Sequence, residues 1–222
     1  MNRSIEVDHL VKQSTDTGSL NSSHSPTCYR PSKKQVAAFF LLMIAGTLPA
    51  IAQSQSHYQI DAGQSSVNFL LAGSHEVKGV FHVSSGDVIF DRSTGHISGK
   101  IVVDAGSGDS GEASRDKKMK NDVLKAPNFP SITFEPTQFT GQIAGSGASQ
   151  IQVKGNFTII GQPHEITVPM TVQIDGDHGS TTGSFTLPYV QWGLKDPSIF
   201  MLKVGKEVNI SLTLKGQISP GS

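Results

Sequence analysis

The sequence predicts an all-β protein, its antiparallel strands closed into a barrel or stacked as a sandwich, with one short helix. Three observations carry this. From about residue 55 onward, apolar and polar residues alternate in short runs, the period of half-buried strands. Glycine-rich turns separate the runs. A single segment is rich in helix formers, while the chain as a whole holds 23 glycines and few charged residues, 16%.

The elements follow in order. Val67, Phe69 and Leu71 share one face of a first strand, and Phe81 with Val83 share the next. A turn is expected at Ser85-Gly86, then a strand with Val88 and Phe90, then a turn at Ser93-Thr94-Gly95. Ile101 and Val103 mark the strand before the helical segment. That segment is expected near residues 114–124, capped by Ser114, with Met119 and Val123 at i, i+4 spacing and Pro127 as its stop. Ile132 and Phe134 resume the alternation, and Gly145-Ser146-Gly147 turns the chain into a strand with Val153, Phe157 and Ile159. Ile166, Val168, Met170, Val172 and Ile174 form the longest alternating run, closed by a turn at Asp175-Gly176-Asp177. Phe185 and Leu187 follow, and Val208, Ile210, Leu212 and Leu214 end the pattern. A small barrel with such an inner face either fills its inside with side chains or holds one apolar ligand.

Charge excludes other classes. The 18 basic and 18 acidic residues balance, leaving no net electrostatic footprint for nucleic acid or an anionic membrane. The first fifty residues are different material. A polar stretch leads to Arg30, Lys33 and Lys34, then to a 13-residue apolar run at 36–48, Pro49 and Ala50-Ile51-Ala52. This is the order of a secretory signal; a single N-terminal membrane anchor is the alternative. Cleavage after Ala52 leaves residues 53–222 as one domain, with 13 Lys and Arg against 15 Asp and Glu, and places it in the periplasm or outside the cell. The lone Cys28 precedes the run, so disulfides and thiol chemistry are not expected in the exported part.

Two motifs suggest other chemistry. Gly106, Gly108 and Gly111 match G-x-G-x-x-G between a strand and the helix, the context of a dinucleotide site. The helix is charged nearly all round, however, and a crossover helix must bury an apolar stripe. The glycines therefore read as a flexible loop. Gly108-Asp109-Ser110-Gly111 resembles the nucleophile segment of trypsin-like proteases, with His82 and Asp104 as the candidate partners, but Glu112 replaces the next glycine and no cysteines brace the fold. The histidines show no paired ligand spacing, so no metal site is expected. His75, after a strand and Gly73, is the one placed near a rim.

Taken together, the segments resemble the YceI-like family, exported polyisoprenoid-binding proteins with a lipocalin-like barrel. The resemblance rests on Ser65 to Leu71, His75 to Phe81 and Gly86 to Asp91 as opening strands. It rests also on Ser114-Arg115-Asp116 through Met119 with Phe129-Pro130 and Ile132 to Phe134. Gly155 to Gly161, Glu165 to Val168, Trp192-Gly193-Leu194 and the closing strand at Val208 to Leu214 complete it, from about Tyr58 to Ile218. The chain departs from the family pattern at Gln162-Pro163-His164 and in the segment 188–197.

The resemblance implies a non-enzymatic protein that sequesters or carries a long apolar lipid, a polyisoprenoid or isoprenoid quinone, inside the barrel. No other cofactor, no nucleic acid and no metal are implied, and a homodimer stays open beside a monomer. Phe69, Phe81, Val103, Phe134, Phe157, Val168 and Leu212 are the candidate lining of the tail site. His75, Arg115 and Asp116 are the candidates at its mouth; alternatively, Arg115 and Asp116 form an ion pair that only braces the helix start. Two other functions stand beside this one: a structural or surface interaction module with a packed core, and a lipid-modifying enzyme on the same barrel.

Overall fold

The structure, a computed structural model, describes residues 55–198 and 203–221; the segment read as a secretory signal and Cys28 lie outside them. Nine strands run β1 Gln55–Ile60, β2 Ser66–Gly73, β3 Val77–Asp91, β4 Ile97–Asp104, β5 Ser131–Gly141, β6 Gly147–Ile159, β7 Gln162–Asp175, β8 His178–Leu187 and β9 Val204–Pro220. Every pairing is antiparallel. The order β3-β2-β9-β8-β7-β6-β5-β4 closes on itself through β3–β4, which makes an eight-strand barrel. β1 takes the same place as β2, between β3 and β9, so the two are one strand broken by a 3-10 turn at Ala62–Gln64. Asp61 caps that turn, its Oδ1 accepting from the Gly63 amide at 2.9 Å.

The turns expected at 93–95, 145–147 and 175–177 are present. The turn expected at Ser85-Gly86 is not. β3 runs unbroken for 15 residues, and its register shifts between Val83 and Ser85. This β-bulge adds one residue, which is why Phe81 and Val83 face inward and then Gly86, Val88 and Phe90 do, in the opposite parity. Gly86 suits the site because a Cβ there would lie 2.5 Å from Ile60 Cδ1.

The helical segment also differs at its start. α1 spans Ala113–Lys118 and continues as one π-helical turn at Met119–Val123. Glu112, not Ser114, is the cap: its carboxylate accepts from the Ser114 and Arg115 amides, both at 3.0 Å. A carboxylate reaches two amides where a hydroxyl satisfies one. The glycine loop before it is pinned rather than flexible. Asp109 exchanges two backbone hydrogen bonds with Val80 of β3, at 2.9 and 3.0 Å.

The interior divides along the barrel axis. One cluster, with Tyr58, Ile60, Val88, Phe90, Phe139, Ile151, Val172 and Ile174, fills one end with side chains. A second, with Phe69, Phe81, Val103, Leu124, Ile159, Leu187 and Tyr189, surrounds the other end beneath the helical segment.

Candidate functional site

The second end is hollow. A cavity of about 460 Å³ lies within the barrel there, a volume in the range of small-molecule sites. Strand alternation builds its wall: Phe69, Phe81, Val103, Phe134, Phe157, Val168 and Leu212 all line it. Val168, 1% exposed, belongs with Met170 and Leu214 to both the lining and the packed cluster, so these three form the floor. Glycines make room for the rings. The Phe134 ring lies where a Cβ on Gly155 would be 2.8 Å away, and the Phe69 ring lies 2.4 Å from a Cβ on Gly79. Phe69 and Phe81 tilt against each other at 5.4 Å.

Two segments outside the strands close the top. Met119, Val123 and Leu124 come down from the helical turns. Tyr189 and Leu194 come from the connection between β8 and β9. That connection is anchored: the Tyr189 hydroxyl donates to the Gly205 carbonyl at 2.7 Å, and Lys195 reaches Asp122 of the helical segment at 3.6 Å. Burial, and then the nearby Asp196 carboxylate, push the Tyr189 hydroxyl up to about 12.

The two segments set apart in the sequence, 162–164 and 188–197, meet here. His164, at the rim end of β7, stacks flat on Trp192, centroids 3.9 Å apart and planes 3° from parallel. Trp192 in turn packs on Phe157 at 6.0 Å, and Phe157 meets Phe185 edge-on at 5.7 Å. The segment 162–164 and the connection 188–197 thus share one feature, a stack continuous with the cavity wall.

The rim is polar. His75, in the β2–β3 connection, and Arg115 both line the cavity, as do Ser74, Ser110, Glu112, Ser114, Lys118 and Lys203. Asp116 does not. Its Oδ1 accepts from the Ser110 amide at 2.9 Å and from the Ser110 hydroxyl. Arg115 grips the same residue, its Nε donating to Ser110 Oγ at 2.7 Å and a terminal nitrogen to the Ser110 carbonyl at 2.9 Å. The two side chains thus do not form an ion pair with each other; both hold Ser110, and through it the glycine loop. Glu112 sits below the usual carboxylate range because the Ser114 hydroxyl and the first amides of the helix donate to it.

This arrangement leaves the protease-like motif without a mechanism. Ser110 Oγ is bonded to Asp116 and Arg115, Asp104 accepts from the Gly106 amide, and His82 is exposed on the outer wall. Among the described residues, no cluster of three His, Cys, Asp or Glu is placed to hold a metal ion.

The i, i+4 spacing of Met119 and Val123 marked an apolar face on the helical segment but not its place over the cavity, and Lys118, Tyr189 and Lys203 come from segments without alternation.

Residues 58–216 match the family described as the YceI-like domain. A UPF0312 protein of Vibrio parahaemolyticus is 32% identical over 140 residues, covering 60% of this chain and 69% of that relative. A UPF0312 protein of Vibrio vulnificus is 32% identical over 146 residues, covering 63% and 71%. Among solved structures, BcnA of Burkholderia cenocepacia superposes with a TM-score of 0.59 at 25% identity, over 71% of this chain and 99% of its own. A polyisoprenoid binding domain from Saccharophagus degradans, implicated in plant cell wall breakdown, gives a TM-score of 0.59 at 15% identity, over 73% and 98%. The latter likeness is one of fold.

Proposed function

The chain belongs to the YceI-like domain family, and on that footing we propose that it binds the tail of a long-chain apolar lipid, an isoprenoid or isoprenoid quinone, and sequesters or carries it. The observation that carries this is the hollow half of the barrel, walled by aromatic and branched side chains from strands around the barrel. Each methylene moved from water into such a lining gains about 0.8 kcal/mol, so a tail binds tightly without polar contacts. The fold shared with a polyisoprenoid binding domain supports the same reading. So does the state of the rim hydroxyls, which are tied into bonds that hold the loop and the helix start. Ser110 is held by Asp116 and Arg115, and Ser74 Oγ donates to the Lys203 carbonyl at 3.2 Å. Binding without catalysis fits that arrangement.

The test is mass spectrometry of an organic extract of protein purified from its native host. A bound isoprenoid or acyl lipid at near-stoichiometric amount is the expected result. An empty protein that also takes up no polyprenyl or fatty-acyl probe would leave the structural-module reading, to which the packed half of the barrel already belongs.

The proposed place of action is beyond the cytoplasmic membrane, on the strength of the charged flank, apolar run and Ala50-Ile51-Ala52. N-terminal sequencing of protein from the exported fraction is expected to begin near Gln53. A mature chain retaining 36–48 would mean an anchor instead.

A further inference from the structure

We propose that the lipid held in this cavity carries an anionic head group, a phosphate or a carboxylate, seated against Arg115, Lys118 and Lys203 at the mouth. The proposal rests on the lipid-binding reading and specifies its ligand class. These three cations line the cavity together, and among the described residues Glu112 is the sole carboxylate that does so. Glu112 is already engaged at the helix start by the Ser114 and Arg115 amides.

None of the three cations forms an ion pair among the described residues, whereas Lys100 and Lys154 on the outer wall each face a carboxylate, at 2.6 and 3.0 Å. The surplus is local. Residues 53–222 carry 13 basic against 15 acidic side chains, so the positive mouth sits on a domain that is net negative. Charge counted over the whole sequence hides it.

The mouth is built to keep the surplus in place. Ser110 fixes the Arg115 guanidinium through two bonds while Asp116 holds Ser110 from the other side. The Lys203 carbonyl accepts from the Ser74 amide at 2.9 Å, which ties that lysine's backbone to the end of the neighbouring strand β2. Net positive charge, three cations against the Glu112 carboxylate, above an apolar, low-dielectric wall focuses the field on the opening, where a head group must sit once its tail is inside. A guanidinium and two ammonium groups match the oxygens of phosphate or carboxylate and offer nothing particular to an alcohol or a quinone.

The experiment compares chain-matched probes on the purified domain by displacement of an environment-sensitive dye: hexadecanoic acid against hexadecan-1-ol, and geranylgeranyl phosphate against geranylgeraniol. Three partly exposed ion pairs predict about tenfold tighter binding for each anion than for its alcohol at low salt, shrinking as ionic strength rises. The double variant K118E/K203E, at exposed positions, is expected to bring each ratio to one or below. K215E, the same change at the packed end of the barrel, is expected to keep it. Which anion gains more tells a phosphate site from a carboxylate site. Alcohols binding as tightly as their acids, or a ratio unmoved by K118E/K203E, overturns the head-group proposal while the cavity still binds tails. Failure of all four probes overturns the lipid-binding reading itself, and the head-group proposal with it.

Discussion

Tyr58 shows what a single residue holds together. Its hydroxyl donates to the Leu214 carbonyl of β9 at 2.9 Å and lies 3.3 Å from the Gly179 carbonyl of β8, crossing the packed end of the barrel. Burial raises the hydroxyl to about 12 from its ordinary 10. An acid raised in the folded state stabilises fully below its unfolded value and loses that stabilisation as pH climbs through the folded one. The expected outcome is urea stability that is level up to about pH 10 and falls between about 10 and 12, Tyr189 adding to the fall. Tyr58→Phe should cost about 1 kcal/mol at neutral pH and flatten part of the alkaline slope; an unchanged slope would deny Tyr58 this role. At the same scale, Gly79→Ala places a Cβ 2.4 Å from both the Phe69 ring and the Asp109 carbonyl. Overpacking of this kind costs about 1–3 kcal/mol, and amide exchange at Asp109 should quicken as its bridge to Val80 loosens. Neither residue's partners were legible, since Leu214 and Asp109 lie far away in sequence and their contacts arise only when the barrel closes.

At the scale of elements, the sequence shows faces more readily than breaks in them. Alternation identified the inward sets of the strands, because period-2 burial is written in the residues themselves. The bulge in β3 was not legible. Ser84-Ser85-Gly86 looks like a turn, and only the pairing with β4 shows the chain running on. The break between β1 and β2 was missed likewise, as β1 buries just Tyr58 and Ile60. The G-x-G-x-x-G pattern misled toward a mobile loop because its constraint comes from another strand. Gly108 lies so close to Met119 and Phe81 that a Cβ would sit 2.5 Å from the thioether methyl. The stack of His164 on Trp192 offers a test at this scale. Trp192 is the chain's only tryptophan, so its emission reports on the connection alone. His164→Ala should shift that emission toward the exposed limit and speed exchange of the Trp192 and Leu194 amides, whose hydrogen bonds lie within the connection. Strand amides should keep their protection; an unmoved spectrum would mean that Trp192 is held by Phe157 without the stack.

For the whole molecule, the division into a filled and a hollow end separates what folds the barrel from what makes it useful. The filled end supplies a continuous core from strands around the ring, so the hollow end can forgo contacts without loss of the fold. Sequence alternation located the inward residues, Val168, Met170 and Leu214 of the floor among them, but not where the hollow ends, since inward residues read alike whether they meet a neighbour or empty space. Ligand binding should therefore raise the melting temperature markedly, by the linkage that gives about 2.7 kcal/mol at a hundredfold excess over Kd. Phe157→Trp tests the link between cavity and ligand. The larger ring takes up space in the cavity and adds apolar contact, so the unliganded protein should melt no lower than the parent while lipid uptake falls and the ligand-induced rise disappears. Phe134→Asp is the harsher change. An unpaired carboxylate against the tail should abolish uptake and also cost several kcal/mol, so circular dichroism must first show a folded barrel. If Phe157→Trp binds lipid as well as the parent and keeps the full rise in melting temperature, the tail does not occupy this end of the barrel. The packed end offers a tail no apolar interior among the described residues, because Phe139, Ile151 and Ile174, at 2–5% exposure, fill it.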